Sequence, residues 1–104
     1  MKVLRIAGGA MTPFNRRKDG SSWRDWCLAA FDEALRDAAL EVADVDALVV
    51  ASESDFFSLQ LNPAAMIADA LGLHGIRVQR VEGGGATGHL AVQAGAALVA
   101  AGLA

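Results

Sequence analysis

Val81-Glu82-Gly83-Gly84-Gly85-Ala86-Thr87-Gly88-His89 decides how this sequence folds. The apolar run Ile76 to Val81 enters the stretch, and the Ala-rich run Leu90 to Ala101 leaves it. The pattern predicts a strand, a glycine-rich turn and a helix. Such a turn presents backbone N–H groups and the positive end of a helix dipole to whatever lies in front of it. No strong nucleophile stands in the turn.

Working outward, the same alternation repeats upstream. Lys2 to Ala7 reads as a first strand ending at Gly8-Gly9, followed by a polar loop from Ala10 to Gly20 around Thr12-Pro13-Phe14. Ser22 with Asp25 three residues on forms a capping-box pattern. Trp23, Trp26, Cys27, Ala30, Phe31, Ala34, Leu35 and Ala38 then share one helical face, with Asp32 and Arg36 spaced to pair on the other. Ala47 to Ala51 is a short, wholly apolar run, as expected of a strand buried on both faces. Asn62 before Pro63 marks the start of a second helix, which Gly72 ends. The third helix follows the glycine turn and ends near Gly102. The order β-α-β-α-β-α implies an α/β fold with a mostly parallel sheet. The Ala/Gly-rich third helix, with Gly88, Ala91, Val92, Gly95 and Val99 on one side, is expected to be buried. Three strands would cover it poorly, so residues 1–104 read as an incomplete domain of a larger protein.

Composition narrows the function. The 104 residues are 54% apolar with a net charge of −3, which suits a packed core and gives no nucleic-acid footprint. Arg16-Arg17-Lys18 is followed at once by Asp19 and reads as a solvated loop. Cys27 is the only thiol, which excludes an internal disulfide and a four-cysteine zinc site. It sits on the apolar face of the first helix and is expected to behave as a small hydrophobe. No signal peptide or membrane-spanning run is evident, so a cytoplasmic setting is expected.

Several chemistries can be weighed at the turn. Gly83, Gly85 and Gly88 match the spacing of a dinucleotide fingerprint, but they follow the third strand, and no acidic residue on a next strand is available for a ribose. A phosphate-binding P-loop is excluded, since no Gly-Lys-Ser or Gly-Lys-Thr occurs. Thr87 reads as a capping or packing hydroxyl. His89 is a candidate acid or base, with a partly buried, hydrogen-bonded histidine as the simpler reading. His74 reads as a surface residue. Phe56-Phe57 reads as core or interface packing.

Taken together, these residues resemble the N-terminal half of the thiolase superfamily. The resemblance rests on Val3-Leu4-Arg5-Ile6-Ala7-Gly8-Gly9-Ala10-Met11-Thr12-Pro13-Phe14, on Asp44 to Val50, and on Val81 to Gly88. In that family the turn carries a nucleophilic cysteine in Cys-Ala-Ser-Gly or Cys-Ser-Ser-Gly. Aligned on Gly85-Ala86-Thr87-Gly88, the pattern puts Gly85 at the cysteine position, so the acyl-accepting thiol is missing. The resemblance implies an acyl-CoA enzyme of the acetyl-CoA acetyltransferase type. It needs no cofactor beyond the CoA thioester substrate, and Gly83, Gly84, Gly85, Ala86, Thr87 and Gly88 form the floor of its pocket. Gly-Gly-Gly-Ala is also similar to the sterol-carrier branch, some of whose relatives are aldolases that cleave a 3-hydroxyacyl-CoA, often beside a zinc-ribbon and OB-fold partner. A non-catalytic acyl-CoA-binding subunit is a further reading. The resemblance also implies a homodimer paired through Val78 to Glu82, with the remaining catalytic residues in a second half outside these 104 residues.

Overall fold

The computed structural model describes residues 3–14, 20–53 and 58–104. Its elements run α1 (Trp23–Ala38), a 3-10 turn (Val42–Asp44), β1 (Ala47–Ala51), α2 (Pro63–Ala70), β2 (Arg77–Val81), a second 3-10 turn (Gly84–Ala86) and α3 (Thr87–Ala100). The fold is α/β, as the sequence predicts, on a two-stranded parallel sheet.

Local chemistry sets the boundaries. The capping box at the head of α1 is formed: the Ser22 N–H donates to Asp25 Oδ2 at 2.7 Å, and the Asp25 N–H donates to Ser22 Oγ at 3.5 Å. The helix ends at Ala39, which takes the left-handed conformation (φ 56°). Arg36 does not pair with the Asp32 carboxylate; its Nε donates to the Asp32 backbone carbonyl at 3.5 Å. At α2, the Ala65 N–H donates to Asn62 Oδ1 at 3.3 Å, and Pro63 occupies the first turn, where its missing N–H costs nothing. The chain leaves α2 through Gly72 (φ 72°).

β1 and β2 pair in register from Ala47 with Arg77 to Ala51 with Val81. Alternate residues point to opposite faces of a strand. Leu48, Val50 and Val78 therefore face α2 and pack on the cluster of Ile67, Ala68, Leu71 and Leu73, which Trp23, Cys27 and Phe31 of α1 close from outside. Ala47 and Val49 face the other way, toward Gly95, Leu98 and Val99 of α3. The sheet is thus sandwiched, with α1 and α2 on one face and α3 on the other. Full burial of a side chain such as Ile67, 3% exposed, contributes about 1.5–3 kcal/mol.

Two expectations are corrected. Residues 3–7 form no strand; Val3 and Ile6 are 84% and 89% exposed. The segment lies beside α3, where Leu4, Arg5 and Ile6 share a cleft with Val92, Gly95, Ala96 and Val99, and it joins neither strand of the two-stranded sheet. α3 is also not buried. Thr87 is its one buried residue, while Val92 and Val99 are 64% and 46% exposed, because two strands cover only one side of the helix.

The amino-terminal segment is held at its far end. The Gly9 N–H donates to Asp37 Oδ2 at 2.9 Å. Gly8 lies so close to the last turn of α1 that an added Cβ would come within 2.8 Å of the Ala38 nitrogen.

Candidate active site

The glycine stretch sits at the carboxyl end of β2 and opens into α3. In open α/β sheets, ligands bind at the carboxyl ends of strands. Beyond the paired strands, the Ser52 N–H donates to the Val81 carbonyl at 3.3 Å, extending the ladder one step toward the turn. Arg80 ties the same corner: its guanidinium donates to the Ser52 carbonyl at 3.2 Å and lies 3.8 Å from the Glu82 carboxylate.

Each glycine has a distinct reason to be there, or none. At Gly83 an added Cβ would collide with Leu90 Cδ1, so the leucine side chain would have to shift. Gly84 takes a left-handed φ of 58°, which L side chains adopt at a cost. Gly85 is different. Its φ lies outside the left-handed region, and an added Cβ meets nothing within 4 Å. The fold therefore does not require glycine at that position. Gly88, inside the first turn of α3, is likewise open.

The turn closes through few donors. The Ala86 N–H donates to the Gly83 carbonyl at 3.2 Å, and the Thr87 N–H donates to the Gly84 carbonyl. Thr87, 6% exposed, uses its hydroxyl twice. It accepts from the Gly83 N–H at 3.0 Å and donates to the Gly84 carbonyl at 2.5 Å. No described residue accepts from the N–H of Gly84 or Gly85, and both residues are exposed. Two successive backbone donors, one on a left-handed residue, form the kind of concavity that holds an anionic or strongly polarised oxygen.

The structure brings Gly83 to Gly88 together as one turn, with His89 next to it in the first turn of α3. His89 is exposed, not partly buried as expected, because α3 has nothing packed on that side. His74 is exposed in the loop after α2, as expected. Cys27 is half-buried and lines a cavity of about 160 Å³ with Trp23, Val50, Ile67 and Pro63. Burial pushes its thiol upward from the ordinary value, which suits an unreactive packing residue. Arg16-Arg17-Lys18 and Phe56-Phe57 lie outside the described residues. Among the described residues, no group of three or more His, Cys, Asp or Glu side chains comes together that could hold a metal ion. No helix among them is long and apolar enough to cross a membrane.

Sequence reasoning missed two participants. Leu90 looks like one more apolar residue of α3, and nothing in its spacing reveals that it fills the space beside Gly83. Arg80 sits in an alternating strand pattern, and its reach to Ser52 depends on the parallel register.

No protein-family model matches the chain. Over 103 residues it is 37% identical to a protein named acetyl-CoA acetyltransferase from Methanothermobacter thermautotrophicus, an alignment that covers 98% of this chain and 27% of the relative. The chain thus spans about a quarter of the length of this curated relative. Its α/β elements and its glycine turn at a strand's carboxyl end thus accompany a match to part of that acetyl-CoA acetyltransferase that runs nearly the whole length of this chain.

Proposed function

We propose that this chain is the amino-terminal part of a thiolase-fold enzyme acting on a carbon–carbon bond beside a CoA thioester. The observation that carries the reading is the turn Gly83 to Gly88, with two backbone donors at the head of α3 that no described residue takes up. Donors fixed in this way stabilise the negative charge that develops on a thioester oxygen when an enolate forms next to it. The acetyl-CoA acetyltransferase name of the relative supports the substrate class.

Gly85 favours one version of this chemistry. Acyl transfer through a covalent thioester needs a nucleophile at the turn, and Gly85 supplies no thiol. Retro-aldol cleavage of a 3-hydroxyacyl-CoA needs no acyl-enzyme. A base takes the hydroxyl proton, the bond between the second and third carbons breaks, and the electron pair is held as the thioester enolate until it is protonated. In this reading the base belongs to a further part of the protein, the 104 residues form one incomplete domain, and the protein is cytoplasmic. The loss of the thiol equally motivates a non-catalytic subunit that binds acyl-CoA.

The same reading extends to partners. The edge of β2 away from β1, Val78 to Glu82, is the surface through which two copies would pair, and a zinc-ribbon and OB-fold protein is the heterologous partner to test.

The deciding experiment assays the full reading frame with a 3-ketoacyl-CoA plus CoA and, separately, with a 3-hydroxyacyl-CoA. Cleavage of the hydroxy substrate alone is the expected result. Efficient thiolysis would remove the aldol version, and turnover of neither substrate, with acyl-CoA still bound, would leave the binding subunit.

A further inference from the structure

We propose that the cavity between α1, α2 and the end of β1 receives the apolar chain of the acyl group; the inference rests on the acyl-CoA reading above and adds a chain length to it. The cavity measures about 160 Å³. Protein interiors hold few voids larger than a water molecule, so a space of this size beside the core calls for an occupant. Its position is that of a ligand site. Trp23 opens α1, Pro63 opens α2, Val50 stands near the end of β1, and Ser52 follows that strand; all four line the cavity. It therefore lies at the carboxyl end of the sheet, where ligands of open α/β sheets bind. The glycine turn lies at the same end. Ser52, on the cavity wall, donates its N–H to the Val81 carbonyl at 3.3 Å. Gly83 follows Val81 by two residues, at most about 7 Å of chain.

The walls decide what can enter. None of the described residues that line the cavity carries a charged side chain, so a phosphate or a carboxylate would lose its water there without compensation. The interior it borders is dry: burial pushes the Cys27 thiol upward, and Ile67 is among the buried residues of the wall. An apolar cavity of about 150 Å³ stays empty of water and binds a molecule the size of benzene. The space beside Cys27 thus suits an alkyl chain of about six carbons. A thioester whose carbonyl meets the glycine turn places such a chain within reach of the cavity, and a much longer chain leaves part of itself outside.

The test titrates the full-length protein calorimetrically with CoA thioesters of increasing chain length. Each CH2 that enters the cavity is expected to tighten binding about fourfold from acetyl-CoA to hexanoyl-CoA, with no further gain at dodecanoyl-CoA. Cys27 gives a second readout that needs no variant. Hexanoyl-CoA at saturation is expected to slow the alkylation of Cys27, followed by peptide mass, by about tenfold, while acetyl-CoA leaves it unchanged. Cys27→Met, which fills the cavity, is expected to bind hexanoyl-CoA no more tightly than acetyl-CoA. Affinity that does not depend on chain length, or a Cys27 that hexanoyl-CoA fails to protect, would overturn the proposal and leave the acyl-CoA reading standing. A wild-type protein that binds none of the thioesters would instead bring down the acyl-CoA reading, and the proposal with it.

Discussion

The side chain of Leu90 occupies the place where a Cβ on Gly83 would stand. The first turn of α3 thus closes on the residue that enters the second 3-10 turn. Gly83→Ala forces the leucine to move and is expected to cost about 1–3 kcal/mol, the usual range for overpacking. Leu90→Ala removes the obstacle, so the double variant is expected to be more stable than the sum of the single effects. Denaturant unfolding of the four proteins in a double-mutant cycle measures the coupling.

Gly85 behaves in the opposite way. Its backbone is not left-handed and its surroundings are open, so Gly85→Ala is expected to shift stability by no more than about 0.5 kcal/mol. Gly84→Ala, at φ 58°, is expected to cost about 1–2 kcal/mol. A thermal melt of the two variants side by side separates a glycine held by geometry from one held by no structural need.

Gly85→Cys, made in a Cys27→Ala background, places a thiol beside amides at the head of α3 that no described residue takes up. Such a thiol is expected to ionise below the roughly 8.5 of a free cysteine. Its alkylation by iodoacetamide, followed against pH, should rise at lower pH than that of an exposed cysteine peptide. A profile no different from the peptide's would mean that the turn exerts no electrostatic effect.

Cys27 carries a pH dependence of its own. Burial raises its folded-state pKa above the ordinary value of a free thiol. The folded form therefore keeps its proton where the unfolded form has lost it. Stability is unaffected by this group below the unfolded value and falls as pH rises through that value toward the folded one. Unfolding measured from pH 7 to 10 should show this decline in the wild type and a smaller one in Cys27→Ala.

Ile67 tests the core. It is 3% exposed at the centre of the cluster between α2 and the sheet, and Ile67→Ala is expected to cost about 2–5 kcal/mol. A lower denaturant midpoint with an unchanged slope is the expected signature.

Elements that depend on local chemistry were legible in the sequence. The Ser22–Asp25 box, the Asn62-Pro63 start and the apolar run Ala47 to Ala51 each specify their element through residues within a turn or a strand of one another, and the structure has them where the sequence puts them. The strand expected at residues 2–7 failed because a strand is completed by a neighbour, and nothing in Val3 to Ala7 states whether one is present. The burial expected of α3 failed for the same reason: Val92 and Val99 are apolar whether or not something covers them. At the site, glycine spacing located the turn but could not rank the glycines. The difference between Gly83 and Gly85 lies in Leu90 and in a backbone angle, neither of which a spacing records. The direction of the Thr87 hydrogen bonds was equally hidden, since a threonine at a helix start reads the same whether it bonds forward or backward.

The attachment of Gly8 and Gly9 to the last turn of α1 links two parts of the chain that are far apart in sequence. The Asp37 carboxylate that receives the Gly9 N–H sits two residues before the left-handed Ala39 that ends the helix. When that last turn frays, Asp37 withdraws and the Gly9 N–H loses its acceptor; when the segment leaves, the helix end loses Gly8, which packs against Ala38. The end of α1 and the start of the chain are therefore coupled through one hydrogen bond, and the exchange rate of the Gly9 amide reports on it.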